Sequence, residues 1–80
     1  MVHVCVKLFA TLSRHFAGVM PGTPLGVEVL DGATLIDLVD QLKVPHAEVR
    51  IIFVNGRIQP LDYKLQPGDE VGMFPPVGGG

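Results

Sequence analysis

TLIDLVDQL, residues 34–42, is the stretch of sequence that decides the fold. Four apolar residues in it stand at positions i, i+3, i+4 and i+7, which is one face of an α-helix. Thr34 can cap the helix together with Asp37, which lies near the positive end of the helix dipole. We expect an amphipathic helix that covers one face of a sheet and is stopped by Pro45. The four apolar residues are Leu35, Leu38, Val39 and Leu42.

Three strands are predicted after this helix. Residues 50–54 are rich in β-branched side chains and short enough for a strand that is buried on both faces. Asn55-Gly56 is the strongest hairpin signal in the chain and predicts a short returning strand at residues 57–59. Residues 66–69 read as a turn, after which alternating apolar residues predict a last strand at Glu70–Phe74.

Two strands and a short helix are predicted before it. In residues 2–9 the even positions are apolar and the odd positions mixed, so this strand packs its even face inward. Thr11 can cap a short helix that Gly18 ends. A second strand alternates through Val27 and Val29, with one apolar side.

This order of elements indicates an α+β roll. A helix separates the early strands from the late ones, so we expect a mixed sheet of about five strands, with the first and last adjacent and parallel at its centre. That arrangement is the β-grasp, the ubiquitin-like fold. We expect residues 1–74 to form this domain and residues 75–80 to form a flexible C-terminal tail.

Composition excludes several classes of function. Eighty residues with 48% hydrophobic and 18% charged content make one domain with no room for a deep active site, so we do not expect a self-sufficient enzyme. A net charge of −2 without a basic stripe argues against nucleic-acid binding. The longest apolar stretch, Ile51–Val54, is too short to cross a membrane, and a single cysteine fits a reducing compartment. We expect a cytoplasmic protein.

The sequence ends in Pro75-Pro76-Val77-Gly78-Gly79-Gly80. Two prolines direct the chain away from the sheet in a stiff, extended form, whereas glycines add nothing to a packed core. Four extended residues from Val77 reach about 13 Å, which suits a slim peptide that enters a partner's active site. A purely structural role is the alternative, and it predicts that removing Gly79 and Gly80 has no effect.

The segment PGDEVGMFPPVGGG, residues 67–80, resembles the end of the MoaD family, the small sulfur-carrying subunits of molybdopterin synthase. Residues 7–18, 34–42 and 54–71 are similar to the family's first strand and helix, its main helix and its later strands. The resemblance therefore covers nearly the whole chain. Gly78 departs from the family pattern, which has a variable and often polar residue before the terminal glycine pair.

The resemblance implies that the carboxylate of Gly80 is the reactive group. In that family a MoeB/ThiF-like activating enzyme adenylates it with ATP, and sulfur from a donor protein then yields a thiocarboxylate. The chemistry is sound because adenylation gives a poor electrophile a good leaving group. The implied acceptor is a MoaE-like large subunit that forms the molybdopterin dithiolene of the molybdenum or tungsten cofactor. No cofactor is expected to bind this chain, since ATP belongs to the activating enzyme.

Two further alternatives use the same tail. One is a ThiS-like sulfur carrier for the thiazole of thiamine, and the other is a ubiquitin-like modifier that is joined to lysines of target proteins through Gly80. Isopeptide conjugates in cells would favour the modifier. Beyond the reactive Gly80, the residues that we expect to contact partners are Phe9, Phe74, Pro75, Pro76, Val77, Gly78 and Gly79.

Phe9 and Phe74 are predicted to lie on the sheet face opposite the main helix. Exposed aromatic residues often mark interfaces, so they are candidates for docking partner proteins. Alternatively, the loop at residues 18–24 or the short helix covers them. The sequence leaves both interpretations open.

The remaining candidates have structural explanations. Cys5 lies in a strand with no activating base nearby in sequence, so we expect it to pack. The three histidines lack metal-site spacing and are expected at the surface. Asp37 fits a helix cap and Asp40 a solvated helix face, and Asn55-Gly56 has no phosphate-binding pattern. The histidines are His3, His15 and His46.

Overall fold

The computed structural model describes residues 1–10, 12 and 20–76. Of the short helix predicted to begin at Thr11, only Leu12 falls within these residues, so that helix stays a prediction. A 3₁₀ turn at His46–Glu48 links the helix to the third strand. The elements are β1 (Val2–Leu8), β2 (Leu25–Val29), α1 (Leu35–Gln41), β3 (Ile51–Val54), β4 (Arg57–Ile58) and β5 (Glu70–Phe74).

The five strands form one sheet in the order β2-β1-β5-β3-β4. Strands β1 and β5 are parallel neighbours, in a register that runs from the pair Cys5 and Glu70 to the pair Leu8 and Met73. The other pairings are antiparallel. The predicted mixed sheet with its first and last strands adjacent and parallel is confirmed, and with it the β-grasp.

Helix α1 begins with a capping box. The Asp37 N–H donates to Thr34 Oγ1 at 3.4 Å, and the Thr34 N–H donates to Asp37 Oδ2 at 2.9 Å. Leu35, Leu38 and Val39 of its predicted apolar face are fully buried, while Leu42, the C-cap residue, is half-buried against the same core. The prediction that Pro45 stops the helix is wrong. The helix ends at Gln41, and Lys43 turns the chain at a positive φ of 59°.

The core lies between α1 and one face of the sheet. As predicted, the even positions of β1 point into it, joined by Val71 and Met73 of β5. The prediction that β3 is buried on both faces is wrong: Ile52 and Val54 are buried, but Ile51 is 38% exposed. The reason is that α1 covers one face only. Among the described residues, the largest fully buried side chains are Val4, Val6, Leu8, Leu12, Val29, Leu35, Leu38, Val39, Val71 and Met73.

A buried carboxylate ties the loops to the start of β5. Asp69 is 5% exposed and accepts three hydrogen bonds: Asn55 Nδ2 at 2.9 Å, the Tyr63 hydroxyl at 3.0 Å and the Gln66 N–H at 2.8 Å. The Glu70 N–H donates in turn to Asn55 Oδ1 at 3.0 Å. The hairpin turn and the turn before β5 are therefore held together by one ionised side chain.

We predict that Asp69→Ala lowers the free energy of unfolding by about 3 kcal/mol, because three donors lose an ionised acceptor. Urea unfolding measures the loss. Asp62→Ala is the matched control, since it removes an exposed carboxylate from the same loop and should change stability by less than about 0.5 kcal/mol. Equal losses in the two variants would contradict a structural role for the Asp69 network.

Partial burial raises the pKa of Tyr63, and the hydrogen bond and negative charge of Asp69 raise it further. Up to about pH 10, the ordinary pKa of tyrosine, this contribution to stability is complete. Above that pH the unfolded chain ionises first, so the free energy of unfolding should fall as pH rises through the folded pKa. Tyr63→Phe should flatten this alkaline slope in urea unfolding.

Tyr63 is the one tyrosine of the chain, and there is no tryptophan, so tyrosinate absorbance reports on it alone. Its titration midpoint should lie higher in the folded protein than in denaturant. Asp69→Asn should lower the folded midpoint, because it removes the negative charge. A folded midpoint at or below the denatured one would rule out this arrangement.

Candidate functional site

The central strand β5 ends where the tail begins. The Arg50 N–H donates to the Phe74 carbonyl at 2.8 Å, and the Phe9 N–H donates to the Met73 carbonyl at 3.1 Å. Pro75 and Pro76 have no N–H, so they cannot extend the hydrogen-bonded ladder. The chain therefore leaves the sheet at its centre, with a neighbouring strand on each side.

Pro75 is half-buried and Pro76 is exposed. The other predicted tail residues, Val77 to Gly79, lie outside the described residues, and so does the predicted reactive residue, Gly80. Their roles stay predictions. What the structure describes is the root of the tail, residues 74–76, and its surroundings.

Phe9 and Phe74 stack on each other at this root. Their ring centroids are 4.5 Å apart and their planes differ by 2°. Phe53 meets Phe74 edge-on, with centroids 5.5 Å apart and an angle of 78°. All three rings are half-buried on the sheet face opposite α1, so the structure brings together the two aromatic residues that the sequence predicted there.

The interpretation that a loop covers these rings holds in part, whereas their role in docking partners stays a prediction. The loop at residues 20–24 does reach Phe9: the Gly22 N–H donates to the Leu8 carbonyl at 2.9 Å, and a Cβ at Gly22 would lie 3.5 Å from Phe9 Cε1. The rings still keep part of their surface open to solvent. Phe9 and Phe74 partner each other, which sequence patterns did not predict.

Gly72 is a site residue that sequence reasoning missed. A Cβ there would lie 3.3 Å from Phe9 Cε2 and 3.6 Å from Phe74 Cε1, so a side chain at this position would push the Phe9 ring by a few tenths of an ångström. A signal was present in the sequence, because glycine inside a strand often marks the close approach of another group. Its backbone forms the floor beneath the two rings.

A groove of about 410 Å³ lies over Gly72 on this face. The three aromatic rings line it together with Cys5, Lys7 and Glu70. Its rim therefore has one cationic and one anionic side chain beside an apolar floor. Ile58, which pairs with Phe53 on the neighbouring strand, is 64% exposed and extends the apolar surface. Such a surface can bind the apolar part of a protein partner.

The other candidates show no chemical site. Cys5 is a free, half-buried thiol in the groove. His3 and His46 are exposed, and the His46 ring pairs with the Asp40 carboxylate. His15 lies outside the described residues. Residues 1–10, 12 and 20–76 contain no group of three or more side chains suited to hold a metal, and no helix among them is long and apolar enough to cross a membrane.

Comparison with known proteins assigns the chain to a family. The model of the ThiS family matches residues 6–80, from the first strand through the tail. The chain belongs to the ThiS family. No curated protein matches it.

Solved structures share the fold over nearly the whole chain. A candidate molybdopterin converting factor subunit 1 from Pyrococcus furiosus is 36% identical, with 96% of this chain and 100% of that chain covered and a TM-score of 0.73. SAMP1 from Haloferax volcanii is 28% identical, with 98% and 99% covered and a TM-score of 0.73. Subunit 1 of the molybdopterin-converting factor from Helicobacter pylori, solved in complex with subunit 2, is 21% identical, with 99% and 100% covered and a TM-score of 0.63.

Proposed function

We propose that this ThiS-family protein is the sulfur-carrying small subunit of molybdopterin synthase, in molybdenum or tungsten cofactor biosynthesis. The observation that carries the proposal is the 36% identity over 96% of the chain to a candidate subunit 1 of molybdopterin converting factor. The root of the tail supports it, because the central strand delivers Phe74-Pro75-Pro76 to the edge of an apolar groove. The protein then acts in the cytoplasm and is not catalytic by itself.

Gly80 supplies the chemistry in this proposal. In a MoeB/ThiF-like enzyme the terminal carboxylate attacks the α-phosphorus of ATP, pyrophosphate leaves, and an acyl adenylate results. Sulfide supplied by a donor protein attacks the carbonyl carbon and displaces AMP, and after loss of the proton a thiocarboxylate results. The chain itself binds no cofactor. Gly78 and Gly79 have no side chains, so the tail can enter a narrow active site of a partner. The thiocarboxylate at Gly80 then supplies a nucleophilic sulfur atom.

The groove over Gly72 is the proposed docking surface for a MoaE-like large subunit and for the adenylating enzyme. It adjoins the root of the tail, so a partner bound there would meet the tail as it leaves the sheet. The Helicobacter pylori subunit 1 forms a complex with its subunit 2, which supports a partner of that kind here. Phe9, Phe74, Pro75 and Pro76 would lie at the contact, with Val77 leading into the partner's active site.

We predict that incubation with ATP, an adenylating enzyme and a sulfur source replaces one oxygen of Gly80 by sulfur. Intact-mass analysis detects the exchange. A chain that lacks Gly79 and Gly80 is the control and should not change in mass. The proposal fails if no such partner modifies the full chain while molybdopterin still forms normally in the same extract.

We predict that Phe9→Asp and Phe74→Asp each weaken binding to the large subunit at least about tenfold, because a charge would be buried in the apolar contact. Leu30→Asp is the matched control, since Leu30 is 71% exposed and does not line the groove. Calorimetry measures the affinity, and circular dichroism verifies the fold. Unchanged affinity in both folded variants would remove the groove as a docking surface.

A modifier function is the second candidate. SAMP1, a small archaeal modifier protein, is 28% identical to this chain over nearly the full length of both, and this similarity favours a modifier function. It requires isopeptide bonds between Gly80 and target lysines, which peptide mass spectrometry of cell extracts would detect. A carrier for the thiamine thiazole remains the alternative within the ThiS family. Loss of thiamine rather than molybdopterin in a deletion strain would identify it.

A further inference from the structure

We propose that Phe9 is a positioning residue: its stack on Phe74 fixes the direction in which the tail leaves the sheet. The consequence for Gly80 rests on the proposed function. The stack itself is a property of the chain alone and can be tested without any partner.

The ring of Phe9 is held on its face and on both edges. Its face lies on Phe74, with ring centroids 4.5 Å apart and nearly parallel planes. One edge, at Cε2, faces the bare backbone of Gly72, and the opposite edge, at Cε1, faces Gly22 in the preceding loop. The Phe9 N–H is bonded to the Met73 carbonyl. The backbone of Phe9 is therefore bonded to β5, and its ring has a neighbour on one face and near both edges.

Phe74 is held by similar contacts. Its carbonyl accepts the Arg50 N–H at 2.8 Å, and its ring meets Phe9 on one face and Phe53 at an edge. A residue before proline is restricted to extended conformations, so few states of Phe74 remain once its ring is held. The last residue of the sheet thus has one defined orientation.

The two prolines pass this orientation on. Each proline has its φ locked near −65°, and an extended proline pair rises by about 3.1 Å per residue. Pro75 and Pro76 therefore carry the direction of Phe74 about 6 Å away from the sheet. Without the Phe9 ring, the Phe74 side chain loses the contact that holds it on the sheet, so the φ and ψ of Phe74 vary more, and the stiff proline pair turns this into a larger variation in the direction of the chain.

Positioning and docking predict different kinetic effects. If Phe9 only docks the carrier, removing its ring raises the KM of the adenylating enzyme for the carrier. If Phe9 positions the tail, removing its ring lowers the turnover number at saturating carrier, because a misplaced reactive group reacts slowly even when bound. The two roles can therefore be separated with the same variants.

The first experiment uses the full chain alone. We measure NMR order parameters of the Phe74 ring and the Pro75 Cα in Phe9→Ala, Phe9→Leu and Phe9→Tyr. Order should fall in the Ala and Leu variants, which lack the flat ring, and be retained in the Tyr variant. Ile58→Ala, on the same sheet face, is the control and should change nothing. Unchanged order in Phe9→Ala would overturn the proposal.

A second variant tests the stack without removing either ring. An added Cβ in Gly72→Ala would lie 3.3 Å from Phe9 Cε2, whereas in Gly26→Ala it would lie 3.2 Å from His3 Cε1. The added Cβ atom thus lies about equally close to a neighbouring ring in the two variants, and both positions are on the same face of the sheet. Order at Phe74 should fall in Gly72→Ala but not in Gly26→Ala. In a Phe9→Ala background, Gly72→Ala should have no further effect.

The third experiment measures adenylation of Gly80 as a function of carrier concentration. Phe9→Ala should lower kcat about tenfold, in addition to any rise in KM from the lost docking contact, and Phe9→Tyr should restore kcat. A raised KM with unchanged kcat would make Phe9 a docking contact only and overturn the positioning role. If no enzyme adenylates the unsubstituted chain, the proposed function fails, and the NMR comparison still decides whether Phe9 orients the tail.

Discussion

The parallel pairing of β1 with β5 is the constraint on which the rest of the structure depends. It joins the first strand of the chain to the last at the centre of the sheet. Its register places Val6 beside Val71 on the inner face and Lys7 beside Gly72 on the outer face. A slip of one residue would exchange the two faces of a strand, so this single pairing sets both the core and the groove.

The two faces of the sheet contribute differently to stability and function. The inner face is covered by α1 and holds fully buried aliphatic side chains, each contributing about 1.5–3 kcal/mol by burial. The outer face carries half-buried rings, whose stacking adds about 1 kcal/mol beyond the area that they bury. Burial on the inner face therefore stabilises the fold, while the stacking free energy on the outer face favours one orientation of Phe74 and of the tail that follows it.

Much of this fold could be predicted from the sequence because local signals agreed with one another. Short stretches of neighbouring residues determine the helix register, its cap at Thr34, the hairpin at Asn55-Gly56 and the bounds of β5. The stop of α1 was assigned to Pro45 because proline is the visible breaker, yet Lys43 turns the chain earlier in a conformation with no sequence signature. The burial of β3 was overestimated because β-branched content does not reveal how many faces a single helix can cover.

The site was predictable in part. The sequence indicated the face on which Phe9 and Phe74 lie, but not that they stack, because residues so far apart meet only through the register of β1 and β5. Gly72 was missed for the same reason, because the need for a small residue there arises from the ring of Phe9, which lies at the other end of the chain. The buried role of Asp69 likewise depends on partners from two connections, the β3–β4 hairpin and the segment between β4 and β5.

The stack of Phe9 on Phe74 also links presentation of the tail to completion of folding. Contacts between distant parts of a chain form late and slowly, because a long loop must close first. A chain whose N-terminal strand is missing, damaged or not yet docked has no ring to place on Phe74. In a misfolded chain the tail would leave the sheet in no defined direction. An activating enzyme that requires one direction of the tail would then act mainly on chains whose folding is complete.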